Sequence, residues 1–252
     1  MKAALVIAHP GHELRVFGWA QQMHPTAMVL TRGDGHGGVS RLESTSRVLD
    51  AVGGVPGSIY GRFGDREIYD LILHRRLDVL LALRDELADA FVAGGFDLVA
   101  CDAEEWYNPS HDVCHYIAVS AARVASQRTM RAVQLFDFPL IGLPDTCPDD
   151  LRSRAIRLEL DDDVFGEKLE NAARYPELKI EVDRALAING AEAFRVECLR
   201  PVADVPATPP ETPFYELYGE RQVQAGHYSD VIRFNPHIRA VCDALQVAMQ
   251  GV

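Results

Sequence analysis

Two histidines lie close together in the loop that follows the first apolar segment of the chain. His9 and His12 belong to the sequence A-H-P-G-H-E-L at residues 8–14, directly after an apolar run. If Pro10 occupies the first turn of a helix, both imidazoles can converge on one point. Imidazole nitrogen is a ligand for zinc, iron and nickel, so this spacing predicts a metal site.

A second group of polar and aromatic residues has the sequence W-Y-N-P-S-H-D-V-C-H at positions 106–115. His111 and His115 are four residues apart and would share one face of a helix. The spacing allows a pair of metal ligands, and it equally allows one ligand with a supporting partner. The segment follows an apolar run at 97–101, so we expect it at the same sheet edge as His9 and His12.

A glycine-rich turn at residues 32–38 contains Asp34. Its glycines match neither the dinucleotide-binding nor the phosphate-binding pattern. A flexible turn and the wall of a ligand pocket remain equally good interpretations, because glycines also let the backbone approach a ligand closely.

Short β-branched runs alternate with helical patterns over the first 143 residues, which predicts βαβ units around a mostly parallel sheet with helices on both faces. The clearest helix should cover 77–92, with an apolar stripe at helical spacing. A further helix is predicted at about 111–126. The predicted strands are 3–8, 27–31, 58–60, 97–101 and 131–136.

The composition changes after Pro144. A helical stretch around 165–187 and a strand at 194–199 are predicted there. Four prolines between 203 and 213 indicate an extended linker. We therefore expect a domain at 1–200, followed by a linker and a C-terminal extension at 201–252 that packs on the same domain.

Composition and charge exclude several classes of protein. The chain is 48% hydrophobic and 25% charged, which is typical of a globular protein, and its formal charge of −12 argues against binding to nucleic acid or to an anionic membrane. No segment reaches the ~18 apolar residues of a membrane span. Five scattered cysteines without a C-x-x-C pair favour a reducing, cytoplasmic location. We expect a small-molecule partner, and the chain could form a homo-oligomer.

Several motifs together resemble the PIG-L/LmbE family of zinc-dependent N-deacetylases. They are the A-H-P-x-x-E start, the T-x-G-D-x-x-G turn from Thr31, the R-x-E pair from Arg41, and a P-x-H element near residue 110. The resemblance covers about residues 3–143. It implies a Rossmann-like fold and hydrolysis of N-acyl groups, commonly acetyl on amino sugars. It also implies zinc held by two histidines, matched by His9 and His111, and by an aspartate.

This chain departs from the family motif at two neighbouring positions. The usual H-P-D-D-E start has a general base and then a metal ligand where this chain has Gly11 and His12. His12 can still bind metal, which gives a neutral ligand set of His9, His12 and His111 that resembles the site of carbonic anhydrase. Gly11 has no side chain and cannot act as a base.

The resemblance predicts a zinc-dependent amide hydrolase whose proton transfer has moved to another group. Asp34 or Asp112 is the expected proton acceptor, and Asn108 or His115 is expected to assist the oxyanion. Since loss of a positioned base costs about 10²–10⁴-fold in rate, a binding protein that no longer hydrolyses its ligand is the alternative.

Three residues are expected to contact a sugar-like substrate. Arg41 matches the arginine of the family's R-x-E element. Trp106 could stack on a sugar ring, and Glu13 lies beside His12 in the sequence. Structural roles are the alternatives: a helix-surface pair for Arg41 and packing for Trp106.

Overall fold

Seven strands form one mixed sheet in the computed structural model, which describes residues 1–35, 37–202, 208–209 and 211–250, without the side chains of 247–250. The strands are β1 (Ala3–Ile7), β2 (Thr26–Thr31), β3 (Val55–Phe63), β4 (Leu98–Asp102), β5 (Gln134–Phe138), β6 (Ile156–Glu159) and β7 (Val196–Pro201). Their order across the sheet is β3-β2-β1-β4-β5-β7-β6. The first five pair in parallel, and β7 runs antiparallel to β5 and β6.

Helices cover both faces of this sheet. They are α1 (Phe17–Met23), α2 (Leu42–Ala51), α3 (Asp65–Leu73), α4 (Leu77–Gly94), α5 (Pro109–Thr129), α6 (Asp162–Ala173), α7 (Lys179–Asn189), α8 (Phe214–Gln224) and α9 (Arg239–Gln250). In β1, Ala4 and Val6 join the core beneath α4, α5 and α9, whereas Leu5 and Ile7 join the core beneath α1 and α2. Successive side chains of β1 are therefore buried on opposite faces of the sheet, as expected when helices cover both faces. The architecture is the Rossmann-like α/β fold that the sequence predicts.

Three elements differ from the sequence predictions. The strand expected at 58–60 is β3, which has nine residues and two register irregularities against β2. The single helical stretch expected at 165–187 is two helices, because Pro176 begins a 3-10 turn between α6 and α7. Strand β6 was not predicted from the sequence. It has only four residues, and every second side chain is exposed, so its hydrophobic pattern is weak.

The predicted linker at 203–213 lies partly outside the described residues, which exclude 203–207 and 210. After it, α9 packs against α4 and α5 and contributes Val241 and Leu245 to their core. The division of the chain at residue 200 stays a prediction. None of the described helices has both the length and the apolar composition required to cross a membrane.

A buried ion pair fixes the helix that follows the His12 turn. Glu197 of β7 is fully buried and accepts hydrogen bonds from the backbone N–H groups of Gly18 and Trp19 in α1, at 3.0 and 2.9 Å. The Nζ of Lys168 lies 2.8 Å from the same carboxylate. Burial lowers the pKa of Lys168, and the charge of Glu197 opposes that shift. The pair therefore ties α1 to α6 and β7.

We expect Glu197→Ala to lower the free energy of unfolding by about 3–5 kcal/mol, because it leaves the Lys168 ammonium buried without its partner. Urea unfolding measures this loss. The control is Asp183→Ala, which removes an exposed pair with Lys179 and should cost at most about 0.5 kcal/mol. Equal effects of the two substitutions would contradict the structural role of the buried pair.

Candidate active site

The three predicted histidines meet at the carboxyl edge of the parallel sheet. His9 and His12 follow β1, and His111 lies in the first turn of α5, which follows the neighbouring strand β4. The ring centroids are 5.5 Å apart for His9 and His12, 5.2 Å for His9 and His111, and 4.6 Å for His12 and His111. All three rings are largely buried. We call these three residues the histidine cluster.

Helix α5 begins in a way that presents His111 to the cluster. Asn108 is the N-cap, and its side-chain oxygen accepts a hydrogen bond from the backbone N–H of Ser110 at 3.0 Å. Pro109 follows in the first turn, where its missing N–H costs no hydrogen bond. The N-P-S-H sequence is thus a helix start that brings the His111 ring to the end of β1.

His12 is held by a buried carboxylate. Both oxygens of Asp102, the last residue of β4, lie 3.0 Å from His12 Nδ1, and one of them also accepts the backbone N–H of Ala8 at 2.8 Å. Burial raises the pKa of Asp102 to about 7, although the hydrogen bond from Ala8 and the charge of His9 oppose the shift. Burial, followed by the charge of His9, lowers the pKa of His12 well below its usual value.

His111 has a buried ring nitrogen, Nδ1, for which the described residues supply no hydrogen-bond partner. Burial lowers its pKa well below the usual value, and the charges of His12 and His9 lower it further. A buried polar atom without a partner costs free energy unless a ligand or water satisfies it. The ring is therefore neutral at neutral pH and has an unsatisfied polar atom.

His9 is engaged through both of its ring nitrogens. Its Nδ1 lies 2.7 Å from Thr31 Oγ1 and 3.1 Å from an oxygen of Asp65, and its Nε2 lies 2.6 Å from Ser110 Oγ. Burial alone would raise the pKa of Asp65, but the hydrogen bond and charge of His9 hold it well below its usual value. The contacts orient the His9 ring on two sides.

Ser110, His9 and Asp65 have the connectivity of a serine hydrolase triad, but the serine is not placed as a nucleophile. Ser110 is only 1% exposed, and its hydroxyl donates to Asn108 Oδ1 at 2.7 Å. The same oxygen accepts the hydroxyl of Tyr69 at 3.1 Å. Ser110 therefore links His9 to a buried hydrogen-bond network.

The distances between the three ring centroids agree with those of imidazoles that share one metal ion. The present hydrogen bonds of the rings agree less well with metal binding. Three imidazoles around one zinc ion, with Zn–N distances of about 2 Å, have centroids roughly 5 Å apart. Among the described residues, however, no group of three or more His, Cys, Asp or Glu side chains is arranged to hold a metal ion. For His9 to become a ligand through Nε2, its hydrogen bond to Ser110 must break.

The space beside Gly11 is filled by another part of the chain. Gly11 has a φ of +106°, and a Cβ at this position would lie 2.3 Å from Leu178 Cδ1 and 3.6 Å from the Tyr175 hydroxyl. Both residues belong to the turn between α6 and α7. Leu178 and Tyr175 thus occupy the volume that a side chain at position 11 would need.

The two aspartates predicted as proton acceptors have other contacts. Asp34 accepts the backbone N–H of Asp65 at 2.7 Å, at the start of α3. Asp112 accepts the backbone N–H groups of Glu105 and Trp106 at 3.1 and 3.2 Å, and burial raises its pKa to about 8. These contacts favour a structural role for both residues, and their part in proton transfer stays a prediction.

The two residues predicted to assist an oxyanion, Asn108 and His115, also make hydrogen bonds with other groups of the protein. Asn108 is the N-cap described above. The Nδ1 of His115 lies 2.9 Å from the backbone carbonyl of Asp102, so this ring supports the end of β4. Neither contact reaches a group of the histidine cluster directly, although Asn108 reaches His9 through Ser110.

The side chain of Arg41, predicted to face the substrate, packs over Gly33. Its charge is among those that lower the pKa of His12, after burial and the charges of His9 and Arg15. No ion pair or hydrogen bond of its guanidinium is found among the described residues. This leaves Arg41 available to a ligand.

Trp106 and Glu13, also predicted to contact the substrate, are more enclosed. Trp106 packs against the core beneath α5, and its Nε1 is buried without a partner among the described residues. Glu13 is buried and accepts the backbone N–H of Gly11 at 2.7 Å. Burial raises the pKa of Glu13 to about 7. Glu13 therefore shapes the loop between His9 and His12.

Sequence reasoning did not identify the residues that orient the histidines, namely Asp65, Asp102, Ser110 and Tyr69. Asp102 carried a usable signal, because it ends a buried strand at the edge where ligands bind. Asp65 and Tyr69 lie on α3, whose distance in sequence from His9 gave no indication of a contact. Ser110 was part of the P-x-H element but has the ordinary position of a helix start.

We expect Gly11→Ala to lower the free energy of unfolding by about 1–3 kcal/mol more than Gly226→Ala. Gly226 also has a positive φ, +76°, but a Cβ there would meet open space, so it controls for backbone strain alone. Adding Leu178→Ala should relieve part of the loss, which a double-mutant cycle by urea unfolding would measure. Equal costs at the two glycines would show that Leu178 does not fill the space.

The chain is similar to several solved structures, although no family model and no curated protein matches it. The conserved protein TT1542 of Thermus thermophilus aligns with a TM-score of 0.56 and 18% identity, over 84% of this chain and 99% of that one. The A40926 pseudoaglycone deacetylase aligns with a TM-score of 0.54 and 16% identity, over 82% and 99%. The zinc-inhibited form of teicoplanin deacetylase aligns with a TM-score of 0.53 and 13% identity, over 82% and 100%. The resemblance to the PIG-L/LmbE proteins drawn from the sequence is thereby confirmed in the fold.

Proposed function

We propose that the protein is a zinc-dependent hydrolase that removes an acyl group from an amine, with an N-acetylated amino sugar or a related small molecule as substrate. The observation that carries the proposal is the contact of three buried imidazoles at the ligand-binding edge of the sheet. Two structural neighbours named as deacetylases support it at the level of the fold.

His9, His12 and His111 would hold the zinc ion. A zinc ion bound there would supply Lewis-acid chemistry that polarises the acyl carbonyl. The residues fit in chemical type: the pKa values of His12 and His111 are lowered, and His111 has an unsatisfied nitrogen. Carboxylates stand behind two of the rings, Asp65 behind His9 and Asp102 behind His12, as is usual for metal-bound histidines.

The chain's own groups would bind and orient the substrate beside the cluster. Arg41, whose guanidinium has no partner among the described residues, lies close enough to His12 to lower its pKa and can donate to oxygen atoms of a sugar or an acyl group. Proton transfer is assigned to Asp34 or Asp112 on the sequence pattern alone. Glu13 is a further carboxylate for this role, because it contacts the Gly11 backbone between the two first histidines.

A binding protein without hydrolytic activity is the second candidate. Two observations favour it: Leu178 fills the space beside Gly11, and His9 Nε2 is engaged by Ser110. Such a protein would bind the acylated amine beside Arg41 and leave it unchanged.

We expect purified protein to contain about one zinc per chain by elemental analysis, and His12→Ala to abolish it. The control is His227→Ala, which replaces an exposed histidine outside the cluster. Chelation should abolish amine release from N-acetyl amino sugars, and zinc should restore it. A wild-type protein that neither contains nor takes up zinc would overturn the hydrolase proposal and leave the binding protein.

A second test concerns the hydrogen bond that competes with metal binding. Ser110→Ala removes the partner of His9 Nε2, and a net hydrogen bond is worth about 1 kcal/mol, so zinc affinity should stay equal or rise by up to about fivefold. Competition with a chelating dye measures it. A large loss of zinc affinity in this variant would contradict the assignment of His9 Nε2 as a ligand.

A further inference from the structure

Asp102, the last residue of β4, contacts both the backbone after β1 and the ring of His12. Its carboxylate is fully buried, with one N–H donor from the Ala8 backbone and the Nδ1 of His12 at equal distances of 3.0 Å from both oxygens. An ionised carboxylate can only accept hydrogen bonds. Where Asp102 is ionised, its contact with Nδ1 through both oxygens requires a proton on His12 Nδ1.

This constraint selects one tautomer of His12. A neutral imidazole with its proton on Nδ1 has its lone pair on Nε2. Among the described residues, the rings of His111 and His9 also lie beside it, at centroid distances of 4.6 and 5.5 Å. The lone pair of Nε2 is therefore the one that His12 can offer to a cation in the cluster.

We propose that Asp102 is a positioning residue that holds His12 as the Nδ1–H tautomer, so that Nε2 can bind a cation shared with His9 and His111. When ionised, Asp102 also places a negative charge beside His12, whereas the three imidazole ligands are themselves neutral. The part of the inference that concerns the cation rests on the proposed zinc site. The tautomer of His12 does not.

A purely structural role is the alternative, since the hydrogen bond from Ala8 joins the end of β1 to β4. Asp102→Asn separates the two roles. Asparagine keeps a carbonyl oxygen for Ala8, but its amide group presents N–H to His12 and disfavours a proton on Nδ1. The exposed Asp183 provides the control, as Asp183→Asn.

The experiment has two readouts on the full chain. Nitrogen NMR of the metal-free protein reports which nitrogen of His12 carries the proton, and titration with zinc against a chelating dye reports affinity. We expect the Nδ1–H form in the wild type and the Nε2–H form in Asp102→Asn. Zinc affinity should fall by about 10–100-fold in that variant and stay unchanged in Asp183→Asn.

Two results would overturn the proposal: a wild-type protein with the Nε2–H form, or an Asp102→Asn variant with wild-type zinc affinity. If Asp102→Asn does not fold, the wild-type tautomer alone decides. A wild type that shows the Nδ1–H form but binds no zinc would support the positioning role and refute the proposed zinc site, so the two failures are distinguishable.

Discussion

The arrangement of the candidate site depends on one buried carboxylate that needs hydrogen-bond donors. Asp102 lies at the end of β4 beneath the loop that leaves β1, where water cannot solvate it. The parallel pairing of these strands brings Ala8 and His12 to it, and both supply the missing contacts. An unpaired charge at this place would cost several kcal/mol, so the loop conformation and the ring of His12 are strongly determined.

The other two histidines are built onto this arrangement from different elements. His111 arrives with the capped start of α5, and His9 is held between Asp65 of α3 and Ser110 of α5. Strands β1, β2 and β4 and helices α3 and α5 thus meet at one point. Burial keeps the pKa values of His12 and His111 low, so these two rings are neutral donors and do not form a positive patch.

The space next to Gly11 is also filled. Leu178 and Tyr175 close it from a turn that lies far away in sequence. A side chain introduced at Gly11 would meet Leu178, and glycine itself has no acid or base group, so the proposed hydrolysis must use another group for proton transfer.

Local sequence patterns predicted the parallel part of the sheet and the pair His9 and His12, because strand ends and helix starts are encoded by neighbouring residues. The spacing of His111 and His115 left the third residue open, and the resemblance to the PIG-L/LmbE family selected His111. The groups that orient the cluster were not predicted. Asp65 meets His9 across 56 residues and Ser110 meets it across 101. Such contacts depend on strand order and helix packing, which no local pattern contains. The same reason explains why Asp34 was predicted beside the site while its carboxylate binds the start of α3.

A crystal structure of the zinc-soaked protein, with anomalous diffraction at the zinc edge, is the most direct test of the proposed metal site. We expect one zinc ion bound by His9, His12 and His111, with Asp102 still in contact with His12 Nδ1 and with the hydrogen bond between His9 and Ser110 broken. Zinc bound elsewhere, or an unchanged contact between His9 and Ser110 with no zinc in the cluster, would contradict it.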